Sequence, residues 1–269
     1  MPERTLSMVR TATIALALAA TAAAAQTPPS PRDIMSKVAL TRKLAGSEAI
    51  VTMTVVSEQG QTRERTLSMA TKLYDEGKTE KRIYRFQGPA DVKGTGVLVF
   101  DYESEADDVW IFLPALRKTR RIVSSQRAQS FMGSEFSYGD LNVPALDDYT
   151  YTLRGEERQG GEACWVIELA PKSQDIASAE GYAKKTYWIS KAQHVLRRAL
   201  YYDLDGKLLK ELKTDQIELL DAKNQRFRPL RMEMTNQQNG RRSLFVSTKI
   251  AFAPEANDEY FTPRYLERP

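Results

Sequence analysis

From Ala49 to Phe252 the chain is built from short runs with a period of two, cut by Gly, Asp and Asn turn signals. This pattern constrains the fold more than any other feature of the sequence. Val51, Met53 and Val55 alternate with polar neighbours up to a turn at Gln59 and Gly60. Arg63, Arg65, Leu67, Met69, Thr71 and Leu73 then share one face of a longer strand that ends at Asp75, Glu76 and Gly77. Ile83, Tyr84 and Phe86 lead into Gly88 and Pro89, followed by residues 94–102, GTGVLVFDY, and 109–113. The second half continues with candidate strands at 149–156, 163–169, 182–189, 195–202, 207–219, 226–235 and 243–252. Gly160 and Gly161, Asp205 and Gly206, and Asn239 and Gly240 read as hairpin turns. Around eleven strands joined by short connections predict an antiparallel meander, and a sheet that long must curl or close. Strands and helices do not alternate, which argues against a parallel, dinucleotide-binding fold.

The N-terminus indicates a compartment. Arg4 and Arg10 precede an Ala-rich apolar run, and Ala23, Ala24 and Ala25 precede Gln26, so residues 1–25 read as a cleavable secretory leader. Its apolar core is shorter than the roughly 20 residues that span a bilayer. A lipid anchor would need a cysteine at the cleavage site, and the chain's one cysteine is Cys164. The expectation is a soluble, unanchored, monomeric periplasmic protein with one domain over residues 26–269. The lone cysteine excludes an internal disulfide framework and reads as a small buried hydrophobe. Lys and Arg total 39 against 35 acids in the full chain; removing the leader's two bases and one acid leaves 37 and 34. So slight an excess, spread along the chain, does not suggest a nucleic-acid partner. After the leader, Ser30, Pro31 and Asp33 form an N-cap, a first-turn proline and an N3 acid, opening a one-sided helix through Ile34, Met35 and Val38.

Residues 107–141, DDVWIFLPALRKTRRIVSSQRAQSFMGSEFSYGDL, join an apolar strand to a basic edge and then to an aromatic, Gly-broken loop. The runs at 94–102 and 109–113 are nearly continuous in apolar residues and so are expected to be covered on both faces. Arg117, Lys118, Arg120 and Arg121 suit either a solvated edge that discourages aggregation or a contact for an acidic partner or anionic head group. Phe131, Met132, Phe136 and Tyr138 among Gly133, Ser134, Ser137 and Gly139 read as a loop covering something apolar, with 124–141 as a lid. The aromatic tail Tyr260, Phe261, Pro263, Tyr265 and Leu266 is suited to sealing one open end.

Catalytic arrangements find little support. His194 is the one histidine and falls in a turn; one His and one Cys cannot close a structural metal site, so no metal or cofactor is implied. FMGSEF lacks the spacing of a nucleophile elbow, leaving Ser134 as a loop hydroxyl. The pairs Asp107 with Asp108 and Asp147 with Asp148 stand at strand starts, where turns favour Asp. Gly94 and Gly96 lack the Lys-Ser or Lys-Thr pair and following helix of a phosphate cradle. Met53, Met69, Met132, Met232 and Met234 supply side chains that repack around varied shapes, in a pocket or in an ordinary core.

The motif W-x-x-L-P-A-L at Trp110 and 113–116, R-R-I at 120–122, and F-M-G-S-E-F-x-Y-x-D-L at 131–141 resemble the LolA-like outer-membrane lipoprotein-sorting family, in a branch associated with RND and MMPL-type exporters. GTGVLVFDY and the closing FTPRYLER extend the resemblance over most of the mature chain. It implies a mainly β fold: a strongly curved, incomplete antiparallel barrel with short helices and a loop lid over a concave apolar face. It also implies carriage of a lipid or acylated ligand between envelope components, with an inner-membrane transporter or outer-membrane acceptor as partner, and no turnover. The expected cavity and lid residues are Met53, Leu67, Met69, Val97, Val99, Trp110, Phe112, Phe131, Met132, Phe136 and Tyr138. Arg117, Lys118, Arg120 and Arg121 are expected to meet a partner or head group. The competing readings are a non-catalytic scaffold of an envelope transport complex and a hydrolase, the latter requiring Ser134, His194 and an acid to converge.

Overall fold

A computed structural model describes residues 29–142 and 144–268; the leader assigned to residues 1–25 lies outside the described residues. Thirteen strands form one antiparallel sheet. They are β1 (Gly46–Val56), β2 (Thr62–Tyr74), β3 (Thr79–Gly88), β4 (Gly96–Tyr102), β5 (Asp108–Leu113), β6 (Lys118–Ile122), β7 (Tyr149–Gln159), β8 (Glu162–Pro171), β9 (Lys184–Ser190), β10 (Leu196–Tyr202), β11 (Leu208–Asp221), β12 (Arg226–Asn236) and β13 (Arg242–Phe252). The additional strand beyond the expected set is β6. Its run of cations masks the strand signal, because only Ile122 is buried and the other residues are held by pairing to β5.

The sheet order is β6-β5-β4-β3-β2-β1-β13-β12-β11-β10-β9-β8-β7. Two meanders meet where β1 pairs with β13, and the sheet remains open, with β6 and β7 as its two edges. The segment linking those edges, residues 123–148, has to pass over the mouth of a curved half-barrel. Topology thus accounts for the lid's position. Both edges carry charged, exposed side chains, including Lys118, Arg120 and Arg121 on β6 and Glu156, Glu157 and Arg158 on β7, which discourages edge-to-edge pairing.

A helix, α1 (Pro31–Arg42), starts as the sequence predicts, with Ser30 Oγ accepting from the Asp33 N–H at 3.1 Å. Ile34, Met35 and Val38 bury its apolar stripe in the main core, where α1 packs on β12 and β7. A second helix, α2 (Gln174–Glu180), is capped by Ser173, and a single-turn helix, α3 (Pro263–Leu266), lies in the tail. No helix among the described residues is long and apolar enough to cross a membrane.

Register assigns the faces. Val97 pairs with Ile111 and Val99 with Val109, all on the concave side, whereas Leu98 pairs with Trp110 and Gly96 with Phe112 on the convex side. The doubly covered centre expected of these strands is present. Trp110 and Phe112, however, were expected in the cavity and lie on the other face, because pleating sends alternate residues to opposite sides. There they meet Leu98, Phe261 and Leu266 in a separate cluster. The aromatic tail therefore covers the outside of the sheet and does not seal an end. Gly96 makes the seat: a Cβ there would stand 2.6 Å from Leu266 Cδ1. Cys164 is fully buried on the convex side with Val166 and Trp188.

Candidate functional site

The concave face encloses a hollow of about 180 Å³ between α1, the lid and the strands on either side of the β1/β13 seam. This is comparable to the engineered apolar cavities of about 150 Å³ that admit a benzene-sized guest. Leu67, Met69 and Phe136 line it directly, with Met232 and Phe245 from the opposite half of the sheet. Met53, Val97 and Val99 are buried on the same face.

The lid packs Phe131, Phe136, Tyr138 and Leu141 into the same core. Residues 130–137 form a tight turn in which the Phe131 N–H donates to Phe136 O at 2.7 Å, with Met132 at φ 51° and Gly133 at φ 77° at its tip. A side chain at positive φ is strained. Arg65 on β2 holds this tip by donating to the Met132 carbonyl. Phe131 is fully buried, and its ring lies 5.7 Å from Tyr84, 5.7 Å from Tyr138, 6.2 Å from Phe86 and 6.2 Å from Phe245. Phe136 stacks on Phe245 at 4.5 Å. Ser134 is committed to this turn, donating to Phe131 O at 2.7 Å, and His194 packs instead beside Trp165 at 5.3 Å. Ser134 and His194 are thus engaged in separate contacts.

Polar latches fasten the lid to both halves of the sheet. At one end Asn236 donates to Glu135 at 3.0 Å, Ser243 Oγ accepts from the Glu135 N–H at 2.9 Å, and Arg241 pairs with Glu135 at 2.9 Å. In the middle, Tyr182 donates to Asp140 at 2.9 Å and in turn accepts from Lys210 at 3.0 Å. Arg127 pairs with Glu180 of α2 at 3.1 Å, and Glu180 pairs with Lys185 at 3.0 Å. At the other end Arg82 donates to Leu141 O at 2.9 Å and to the Asn142 side chain, and Asn142 donates to Asp107. Asp107 is thus a lid anchor as well as a turn residue.

Arg82 belongs to a buried charged group at the α1 end of the hollow. It contacts Asp101 at 2.8 Å and Glu80 at 3.6 Å, and Glu80 is shared with Arg228 of β12, also at 3.6 Å. Burial pushes the Asp101 carboxyl up to about 6 despite Arg82, and pulls the Arg228 guanidinium down to about 10 despite Glu80. Arg42 brings a third guanidinium to the same wall. Sequence reasoning missed this group, although a signal was present: Arg228 is in phase with Leu230, Met232 and Met234, which marks an inward-facing cation.

The four basic candidates form the β5–β6 hairpin and its edge. Arg117, at φ 46°, Lys118, Arg120 and Arg121 are all exposed, and Arg121 pairs with Asp108. Leu116 at the hairpin tip is 68 % exposed. On the outer face, a shallower groove of about 360 Å³ runs beside the tail, bordered by Ile83, Arg85, Tyr260 and Tyr265.

A family model described as uncharacterized protein matches residues 78–268. No curated protein matches the chain. Among solved structures, the chain is similar to an outer-membrane lipoprotein-sorting protein domain from Vibrio parahaemolyticus, with 28 % identity and a TM-score of 0.80 over 88 % of this chain and 98 % of that one. A DUF1329 family protein from Desulfovibrio piger is similar at 28 % identity and TM-score 0.80, over 88 % of this chain and 97 % of that one. A LolA superfamily protein from Nitrosomonas europaea shares the fold at 20 % identity and TM-score 0.65, over 88 % of this chain and 99 % of that one.

Proposed function

We propose that the chain, which belongs to a family described as uncharacterized protein and is similar over 88 % of its length to an outer-membrane lipoprotein-sorting protein domain, is a periplasmic carrier of a lipid or lipid-modified ligand. The observation that carries this reading is an apolar hollow whose cover is also its filling. Phe131, Phe136 and Tyr138 hang from the segment that crosses the open mouth of the sheet, so one movement of that segment both uncovers and empties the site. An acyl chain gains about 0.8 kcal/mol per methylene withdrawn from water, so a carrier needs no catalytic group to take one up. Release follows when the lid competes for the same surface.

The lid is closed here, and the hollow of about 180 Å³ beneath it suits the end of a chain, not the whole of it. Cargo binding on this reading displaces the aromatic lid residues, and the latches at Glu135, Asp140 and Asn142 set the cost of doing so. The ligand passes between envelope components, with an RND or MMPL-type transporter or an outer-membrane acceptor as partner. The test is to express the protein in its own host, purify it without detergent and extract bound lipid for mass spectrometry. A stoichiometric lipid is expected; lipid-free protein that also fails to bind a hydrophobic dye refutes the carrier.

A scaffold role in an envelope complex is favoured by a different observation, the exposed Leu116 set among Arg117, Lys118 and Arg120. The two roles are compatible, since a carrier must dock to deliver.

A further inference from the structure

The hollow is lined by apolar groups on most sides and, among its polar lining, by the guanidinium groups of Arg42, Arg82 and Arg228 with the carboxylates of Glu80 and Asp140. Arg228 reaches this wall from β12, with its side chain 14 % exposed. Its one ion-pair partner among the described residues, Glu80, stands 3.6 Å away and also faces Arg82 at the same distance. Arg82 is otherwise well supplied, with Asp101, Asn142 and Leu141 O around it. Arg228 is not: its Nη1 is buried and has no hydrogen-bond partner among the described residues, and Glu80 Oε1 is equally unmet. Arg42, across from them on α1, makes no ion pair among the described residues. Arg82 and Arg228 thus share Glu80, and Asp101, which pairs with Arg82, is the weaker counter-charge because burial pushes it up to about 6.

A buried cation held by one long, shared contact is a costly arrangement in a core meant only to be stable. It is an ordinary one for a site that receives an anion, because the guanidinium fork matches the two oxygens of a carboxylate or phosphate. The walls beside it are Leu67, Met69, Leu230, Met232 and Phe245, which are suited to an alkyl chain and to nothing charged.

We propose that the cargo is an anionic amphiphile, its carboxylate or phosphate head received by Arg228 with help from Arg42 while its chain runs under the lid. This rests on the carrier reading and narrows it: the head group enters and the chain follows, so a neutral acylated ligand is a poor guest.

The test displaces a neutral hydrophobic dye, N-phenylnaphthylamine, from the mature protein with laurate, dodecyl phosphate or dodecanol, which share one chain and differ in the head. Laurate or dodecyl phosphate is expected to displace the dye at a concentration at least about tenfold below that of dodecanol, and the better of the two identifies the head as carboxylate or phosphate. Arg228→Met is expected to abolish the difference, and Arg228→Lys to keep part of it. Should Arg228→Met fail to fold by circular dichroism, Glu80→Gln provides the independent test: with the competing carboxylate gone, the preference for the anion rises. Equal displacement by all three in the wild type, a preference that survives Arg228→Met, or one that does not rise in Glu80→Gln overturns the head-group assignment and leaves a carrier of neutral chains. If the dye binds neither the wild type nor a lid-loosened Phe131→Ala variant, the carrier itself fails.

Discussion

Replacing Phe131 with Ala separates a lid from a piece of core, because the two predict opposite effects on binding. Phe131 is fully buried and touches four aromatic rings, from β3, the lid and β13. Truncating so enclosed a Phe costs about 3–5 kcal/mol, of which the lost ring contacts account for part. If residues 127–142 move as a unit, that loss falls on the closed lid. Weakening closure by about 3 kcal/mol raises the open population roughly a hundredfold, and a ligand that needs the open form binds more tightly by up to that factor. The vacated ring also enlarges the hollow beyond its present volume of about 180 Å³. Dye titration measures the affinity, and hydrogen exchange locates the loosening. The expected result is stronger dye binding with faster exchange at 127–142 and unchanged exchange in β1, β2 and β13. Unchanged or weaker binding, with protection lost evenly across the sheet, would show that Phe131 is permanent core and would refute the competing-lid mechanism.

Asp101 ties stability to pH. Its folded pKa of about 6 lies above the unfolded carboxylate value, so the folded state holds the proton more tightly, and the stabilisation present below about pH 4 is lost as pH rises through 6. Urea unfolding from pH 4 to 7 is expected to show wild-type stability falling relative to Asp101→Asn over that window, and parallel curves refute it. On the convex face, Leu266→Ala is expected to cost about 2–5 kcal/mol while leaving dye affinity unchanged, since the tail faces away from the hollow; a parallel loss of dye binding contradicts that separation. At the hairpin, Lys118→Glu with Arg120→Glu is expected to slow ligand delivery to phosphatidylglycerol vesicles several-fold at low salt without altering dye affinity. A rate equal to the wild type's removes the basic edge from docking.

The candidate site was partly legible in the chain. Phe131, Phe136 and Tyr138 announced a covering loop because large aromatics among glycines and serines suit neither a free linker nor a helix. Leu67 and Met69 were correctly phased because they lie in one alternating strand. Trp110 and Phe112 were misplaced because their face depends on how β5 registers against β4, and Leu98 and Gly96, not Val97 and Val99, stand opposite them. Glu80 and Arg82 escaped because each looks like an ordinary strand residue, and the phase of Arg228 marks it as inward-facing without showing what it meets until β3 and β12 are brought to the same wall.

Local order alone determined the strands other than β6, their hairpin turns, the capped first helix and the aromatic character of the loop, since alternation, Gly at positive φ and a Ser cap act within a few residues of chain. Only the tertiary structure decided that β1 would pair with β13, that the loop would therefore have to cross the open mouth between β6 and β7, and that two arginines from distant strands would meet around one glutamate. Those outcomes depend on contacts between residues far apart in sequence, and no period within a strand encodes which distant strand will lie beside it.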